Sequence, residues 1–173
     1  VFLTAKSGHG KSTLCKLLHG EYLNYNGNIY FDKQNLKDYK LMTIRESVVY
    51  SSQQEKLYST TIKENILFGQ PETNFTKVCE ICNLESIVSK RALRYESKVD
   101  ITKISGGERQ RILLARALMK EASLYLLDEC LSEVDEQDEI DIIKKVRKYL
   151  KGKTLIYISH KRHDDLFERS IIW

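Results

Sequence analysis

The sequence has 173 residues, which fits a single domain, and 42% of them are hydrophobic, which is enough to bury a core. The formal net charge of +4 is small and is spread along the chain, so it gives no support for nucleic-acid binding. No apolar run approaches the roughly 18 residues that a membrane-spanning helix needs. Any membrane role is therefore expected to come through a partner or a fused segment.

The start of the sequence predicts a fragment. The first residue is not Met, no signal peptide is present, and residues 1–4 already read as a buried strand that runs into a loop. We therefore expect an N-terminal portion to precede Val1.

The four cysteines favour a reducing compartment, because disulfides are rare in such compartments and free thiols are ordinary there. Cys79 and Cys82 form a lone Cys-x-x-Cys pair in a helical, partly apolar stretch. A zinc site would need two further ligands at suitable spacing, and the neighbouring sequence offers none. We expect both side chains to pack in the core or on a helix face.

Short apolar runs alternate with helical segments, which predicts an α/β fold with a mainly parallel sheet flanked by helices. Strands are predicted at residues 1–5, 27–31, 47–51, 124–127, 154–158 and 171–173. Longer helices are predicted at residues 11–19, 107–120 and 136–150. Three short helices, at residues 63–68, 73–82 and 84–90, belong to a small helical subdomain that we place at about residues 60–115.

A glycine-rich loop joins the first strand to the first helix, which is the context that a phosphate-binding P-loop requires. Backbone N–H groups of small residues can turn toward phosphates, and the positive end of the helix dipole adds to the attraction. Lys11 would reach the β and γ phosphates, and the Ser12 hydroxyl would bind Mg²⁺. Ala5 stands where the motif has its first Gly. The predicted phosphate-binding residues are Ser7, Gly8, His9, Gly10, Lys11, Ser12 and Thr13.

Two acids follow a short apolar strand, since residues 124–127 read Leu-Tyr-Leu-Leu and Asp128 and Glu129 come next. A buried parallel strand ends at the edge of the sheet where α/β proteins bind ligands. Asp128 would then orient Mg²⁺ through a water, and Glu129 would act as general base on the attacking water. A helix-capping acid would explain either residue alone, but explains the pair less well.

A second anion site is predicted where the long helix begins. Ser105, Gly106 and Gly107 would expose backbone N–H groups at a helix N-terminus. Because one chain needs only one phosphate cradle, a second cradle makes sense if it serves the nucleotide of another copy. This segment resembles the Leu-Ser-Gly-Gly-Gln signature of the ABC ATPase family, with Ile104 and Glu108 in place of Leu and Gln. The following Arg-Gln-Arg and Ala-Arg-Ala-Leu segments extend the resemblance.

The resemblance covers essentially the whole chain and implies further roles. Gln53 looks like the Q-loop glutamine that contacts Mg²⁺, and Asp135 lies in a D-loop at residues 132–135. His160 looks like the switch histidine that contacts the γ-phosphate, whereas His19 and His163 are interpreted as packing or surface residues. The implied catalytic residues are Lys11, Gln53, Glu129 and His160, and the implied Mg²⁺ ligands are Ser12, Gln53 and Asp128. The family also stacks adenine on an aromatic residue upstream of the P-loop, which would precede Val1.

Residues 57–69 resemble the exporter type of this family, in which an aromatic, a Thr-Ile and an Asn-Ile recur before a Gly. The resemblance implies a P-loop NTPase that binds ATP and Mg²⁺ and hydrolyses ATP to drive export. It implies two partners, a second ABC ATPase domain and a transmembrane domain, at the cytoplasmic face of the cell membrane. Two alternatives stay open: a soluble ABC-type ATPase acting in DNA repair or translation, and a nucleotide-binding module with weak hydrolysis.

Overall fold

The computed structural model describes residues 1–4, 8–161 and 163–173. A five-stranded parallel sheet forms its centre, with the strand order β4-β5-β6-β1-β7. These strands are β1 (Phe2–Thr4), β4 (Val48–Ser52), β5 (Leu124–Asp128), β6 (Thr154–Ile158) and β7 (Ser170–Ile172). A separate antiparallel hairpin pairs β2 (Tyr30–Phe31) with β3 (Gln34–Asn35).

The helices flank the sheet, as the alternating pattern predicts. They are α1 (Lys11–Leu18), α2 (Leu41–Ser47), α3 (Ile62–Leu67), α4 (Phe75–Ile81), α5 (Glu85–Val88), α6 (Gly106–Met119) and α7 (Glu136–Tyr149). Short 3₁₀ turns occupy Leu36–Asp38, Glu72–Asn74, Arg94–Glu96 and Asp164–Leu166. Among the described residues, none of the helices combines the length and the apolar character needed to cross a membrane.

The prediction and the structure differ clearly at two segments, helix α2 and strand β2. Helix α2 is absent from the prediction, because Ile44 is its one buried side chain and the segment has no strong apolar period. The strand predicted at residues 27–31 shortens to Tyr30–Phe31. Gly27 has a φ of +89° and Asp32 a φ of +52°, so the chain turns close to both ends of the strand.

The core lies on both faces of the sheet. Along β5, Tyr125 and Leu127 join the larger cluster, which includes α6 and α7 side chains, while Leu126 joins a smaller cluster with Cys15 and Leu18 of α1. This alternation explains why β5 is a continuous apolar run, since both faces of a central parallel strand are buried. Because the strands are parallel, the polar residues that follow them gather at one edge of the sheet.

Candidate functional site

The P-loop leads into α1, and its two described glycines adopt conformations that other residues rarely adopt. Gly8 and Gly10 both have a φ of +83°, and a Cβ added to either would meet nothing within 4 Å. Glycine is therefore required here by backbone conformation and not by lack of space. Lys11 opens α1 and is only 5% exposed. The predicted ligand Ser7 and the variant position Ala5 lie outside the described residues.

A cleft of about 220 Å³ lies at the carboxyl edge of the sheet beside the P-loop. It brings together five of the predicted residues, from α1, the loop after β4, and the ends of β5 and β6. The residues that line it are Ser12, Lys16, Tyr50, Ser52, Gln53, Gln54, Asp128, Glu129 and His160. The other predicted P-loop residues described, Gly8, His9 and Thr13, are exposed, and Gly10 is half-buried.

Glu129 and His160 contact each other across this cleft. Glu129 Oε1 lies 2.8 Å from His160 Nε2. The Glu129 backbone has a φ of +53°, and its N–H donates to the Ile158 carbonyl at 3.0 Å. A non-glycine residue in this left-handed region costs on the order of 1 kcal/mol. Strain of this kind persists only where the surroundings impose it, which is common at functional sites.

Asp128 is 4% exposed and accepts a hydrogen bond from the Tyr50 hydroxyl at its Oδ2 atom, at 3.2 Å. Burial, followed by the negative charge of Asp128, raises the pKa of Tyr50, so Tyr50 remains a proton donor. Burial and the same charge raise the pKa of the Cys15 thiol to about 12. Tyr50 was not predicted from the sequence, because its contact with Asp128 follows from strand register and not from any motif.

The cleft offers the oxygen ligands that Mg²⁺ prefers. The Ser12 hydroxyl, the Gln53 amide and the Asp128 carboxylate all line it. The donor set therefore fits the predicted metal. Among the described residues no group of three His, Cys, Asp or Glu side chains could itself hold a metal ion.

The predicted second anion site lies at the N-terminus of α6. Ser105 forms a capping box with Glu108: the Glu108 N–H donates to Ser105 Oγ at 3.2 Å, and the Ser105 N–H donates to Glu108 Oε2 at 3.3 Å. Ser105 is exposed, as is Asp135 at the start of α7. In the described part of the chain, neither Ser105, Gly106, Gly107 nor Asp135 is among the residues that line the cleft.

The D-loop packs directly on the start of α6. The buried Gln110 side chain accepts from the Glu133 N–H at 2.8 Å and donates to Ser132 Oγ at 2.9 Å. Arg109 Nη2 lies 2.9 Å from Glu133 Oε1. This network, which no motif predicted, fixes the position of the D-loop relative to the Ser-Gly-Gly segment.

Replacing Gly107 with Ala is expected to lower the free energy of unfolding by about 1–3 kcal/mol, as overpacking does. A Cβ at this position would lie 2.9 Å from the Glu133 carbonyl oxygen, which is backbone and cannot rotate away. A Cβ on Gly106 would instead meet the Glu133 carboxylate, which can move. Gly106→Ala is thus the matched control in a chemical denaturation experiment, and a Gly107→Ala variant no less stable than this control would contradict the packing described.

The parallel sheet, the glycine loop before α1 and the acidic residues at the end of β5 define a P-loop nucleotide-binding protein of the α/β class. A family model described as ABC transporter matches residues 1–132. The chain therefore belongs to the ABC transporter family.

Its relatives include exporters. The chain is 33% identical to ABC transporter B family member 1 of Arabidopsis thaliana over 93% of its length, which is 13% of that protein. It is also 33% identical, over 93% of its length, to a Rickettsia prowazekii protein provisionally named as an export ATP-binding/permease protein, of which it covers 29%. A solved bacterial Atm1-family ABC exporter with ATP bound superposes with a TM-score of 0.89 at 26% identity, covering 99% of this chain and 31% of the exporter chain. The chain thus spans less than a third of each.

Proposed function

We propose that this chain binds and hydrolyses ATP to energise the export of a substrate across a membrane. The observation that carries the proposal is the contact between Glu129 and His160 beside the P-loop. An acidic residue held by a histidine next to a phosphate cradle is suited to activate a water for attack on the γ-phosphate. Membership of the ABC transporter family supports ATP as the nucleotide.

The predicted residues of the P-loop and the cleft have distinct roles in this proposal. Lys11 and the N–H groups of the P-loop bind the β and γ phosphates. Ser12, Gln53 and Asp128 hold Mg²⁺, which when bound neutralises charge on the phosphate oxygens. Glu129 takes the proton of the attacking water, and His160 orients Glu129 and contacts the γ-phosphate.

A second copy completes the site. Ser105, Gly106 and Gly107 stand apart from the cleft that holds Glu129, and we infer that they serve a nucleotide on another ABC ATPase domain. Two copies in a head-to-tail arrangement would place two ATP molecules in an isologous interface. Asp135 in each D-loop would face the partner across this interface.

Export also requires a membrane part. The name of the Rickettsia relative joins an export ATP-binding protein with a permease, and the structural neighbour is an exporter more than three times the length of this chain. We infer that the chain works with a transmembrane domain, fused or separate, at the cytoplasmic face of the membrane. The soluble alternative finds no support among these relatives.

Lys11→Ala is expected to weaken ATP binding about tenfold or more, because a hydrogen bond to a charged group contributes roughly 1.5–3 kcal/mol. The measurement is a titration of the purified protein with labelled ATP. Lys33→Ala removes an exposed lysine from the turn between β2 and β3 and is the matched control. Equal affinity in the parent and in Lys11→Ala would rule out the P-loop as the phosphate site.

A further inference from the structure

A buried ionic cluster includes Lys161, the residue after His160, and its members are not among the described residues that line the cleft. Its centre is Glu139 in α7, whose side chain is 0% exposed. Glu139 Oε1 accepts from the Tyr157 hydroxyl at 2.6 Å and lies 2.9 Å from His163 Nε2. Glu139 Oε2 accepts from Lys161 Nζ at 2.7 Å. Because a buried carboxylate is costly unless it is paired and hydrogen-bonded, these three contacts offset the cost of burying Glu139.

Lys161 connects this cluster to the D-loop and to the loop that carries His160. Its ammonium also donates to the Val134 carbonyl at 2.9 Å, which lies in the D-loop immediately before Asp135. Its backbone N–H donates to the hydroxyl of the buried Ser159 at 3.1 Å. The exposed His160 therefore lies between Ser159 and Lys161, which are joined by a hydrogen bond. Lys161 also binds the D-loop.

The other members of the cluster reinforce these anchors. His163 is 1% exposed and packs edge-on against Phe2 of β1, with ring centroids 6.1 Å apart. Burial is the main cause that raises the pKa of Tyr157, so its hydroxyl remains a donor to Glu139. Arg162 lies outside the described residues.

We propose that Glu139 and Lys161 form a positioning pair, which holds His160 against Glu129 and couples it to the D-loop. This proposal rests on the proposed function, since it assigns a supporting shell to the same site. A histidine displaced from the cleft would leave Glu129 unoriented, and displacement of a reacting group by about 1 Å can slow a reaction about 100-fold. ATP affinity would be preserved, because neither Glu139 nor Lys161 is among the described residues that line the cleft beside the P-loop.

The test compares turnover and ATP binding between the parent and Lys161→Met. This change removes the charge but keeps an apolar stem. We expect kcat to fall about 10- to 100-fold, the ATP dissociation constant to stay unchanged, and Lys161→Arg to restore most of the turnover. Lys145→Met is the matched control. It breaks the 2.6 Å ion pair between Lys145 and Asp141, which lies on α7, the helix of Glu139, but outside the cluster. Parent-like turnover in Lys161→Met, or an equal loss in Lys145→Met, would overturn the proposal.

A double variant separates positioning from general destabilisation. If Lys161 acts through His160, then His160→Ala with Lys161→Met should be no slower than His160→Ala alone. A further loss in the double variant would mean that Lys161 acts independently of His160, and would overturn the proposal. Lys161→Gln replaces Lys161→Met in both assays if the methionine variant fails to fold. A failure of the proposed function itself is recognised separately, because Glu129→Gln would then turn over ATP as the parent does.

Discussion

Glu129→Gln is expected to lower ATP turnover by about 10²–10⁴-fold, which is the usual contribution of a general base. The amide keeps the size of the side chain but does not accept a proton from the attacking water. ATP binding should persist, since the predicted phosphate contacts come from the P-loop and not from Glu129. The measurement is steady-state phosphate release together with an ATP binding titration.

The control for this prediction is Glu121→Gln, which makes the same chemical change at a side chain that is 90% exposed. Its turnover should match that of the parent. Phosphate release from Glu129→Gln within a factor of about two of the parent would remove Glu129 from the role of general base, because such a change is far below the expected range.

In the Glu129→Gln background, Ser105→Arg is expected to abolish the proposed ATP-dependent dimer while leaving ATP binding to the single copy nearly intact. The arginine would fill the exposed start of α6, where the proposed partner's phosphate approaches. The same change removes the Ser105 cap, which alone costs about 0.5–2 kcal/mol of stability. The measurement is molar mass by light scattering, with ATP binding measured in parallel.

Ser105→Ala separates the two effects, because it removes the cap without adding bulk or charge. It should retain more of the dimer than Ser105→Arg. A second control, Ser123→Arg, adds the same side chain at an exposed position just before β5, at the edge of the sheet opposite Asp128. Full dimerisation of Ser105→Arg would show that the start of α6 does not face the partner's nucleotide.

The sequence was sufficient to predict the architecture where periodicity or burial is strong. The predicted strands at residues 124–127 and 154–158 and the helices at residues 107–120 and 136–150 agree with the structure to within one residue at each end. The rule that parallel strands present ligand-binding residues at their carboxyl ends also placed Asp128, Glu129 and His160 together.

The contacts that support the site could not be predicted in this way. The bond from Tyr50 to Asp128 depends on the register of two strands distant in sequence. His163 was expected to be a packing or surface residue; it is buried, but as a partner of Glu139. Glu139 itself sits in the charged first turns of α7 and looks solvated from sequence, because only tertiary packing covers it.

The most direct test of the shared nucleotide site is the molar mass of the nucleotide-binding domain carrying Glu129→Gln, measured by light scattering in each nucleotide state. Blocked hydrolysis should keep ATP in the interface, where it bridges the P-loop of one copy and the Ser105 segment of the other. The proposal predicts a dimer with ATP and Mg²⁺ and a monomer with ADP. A monomer in both states would contradict it.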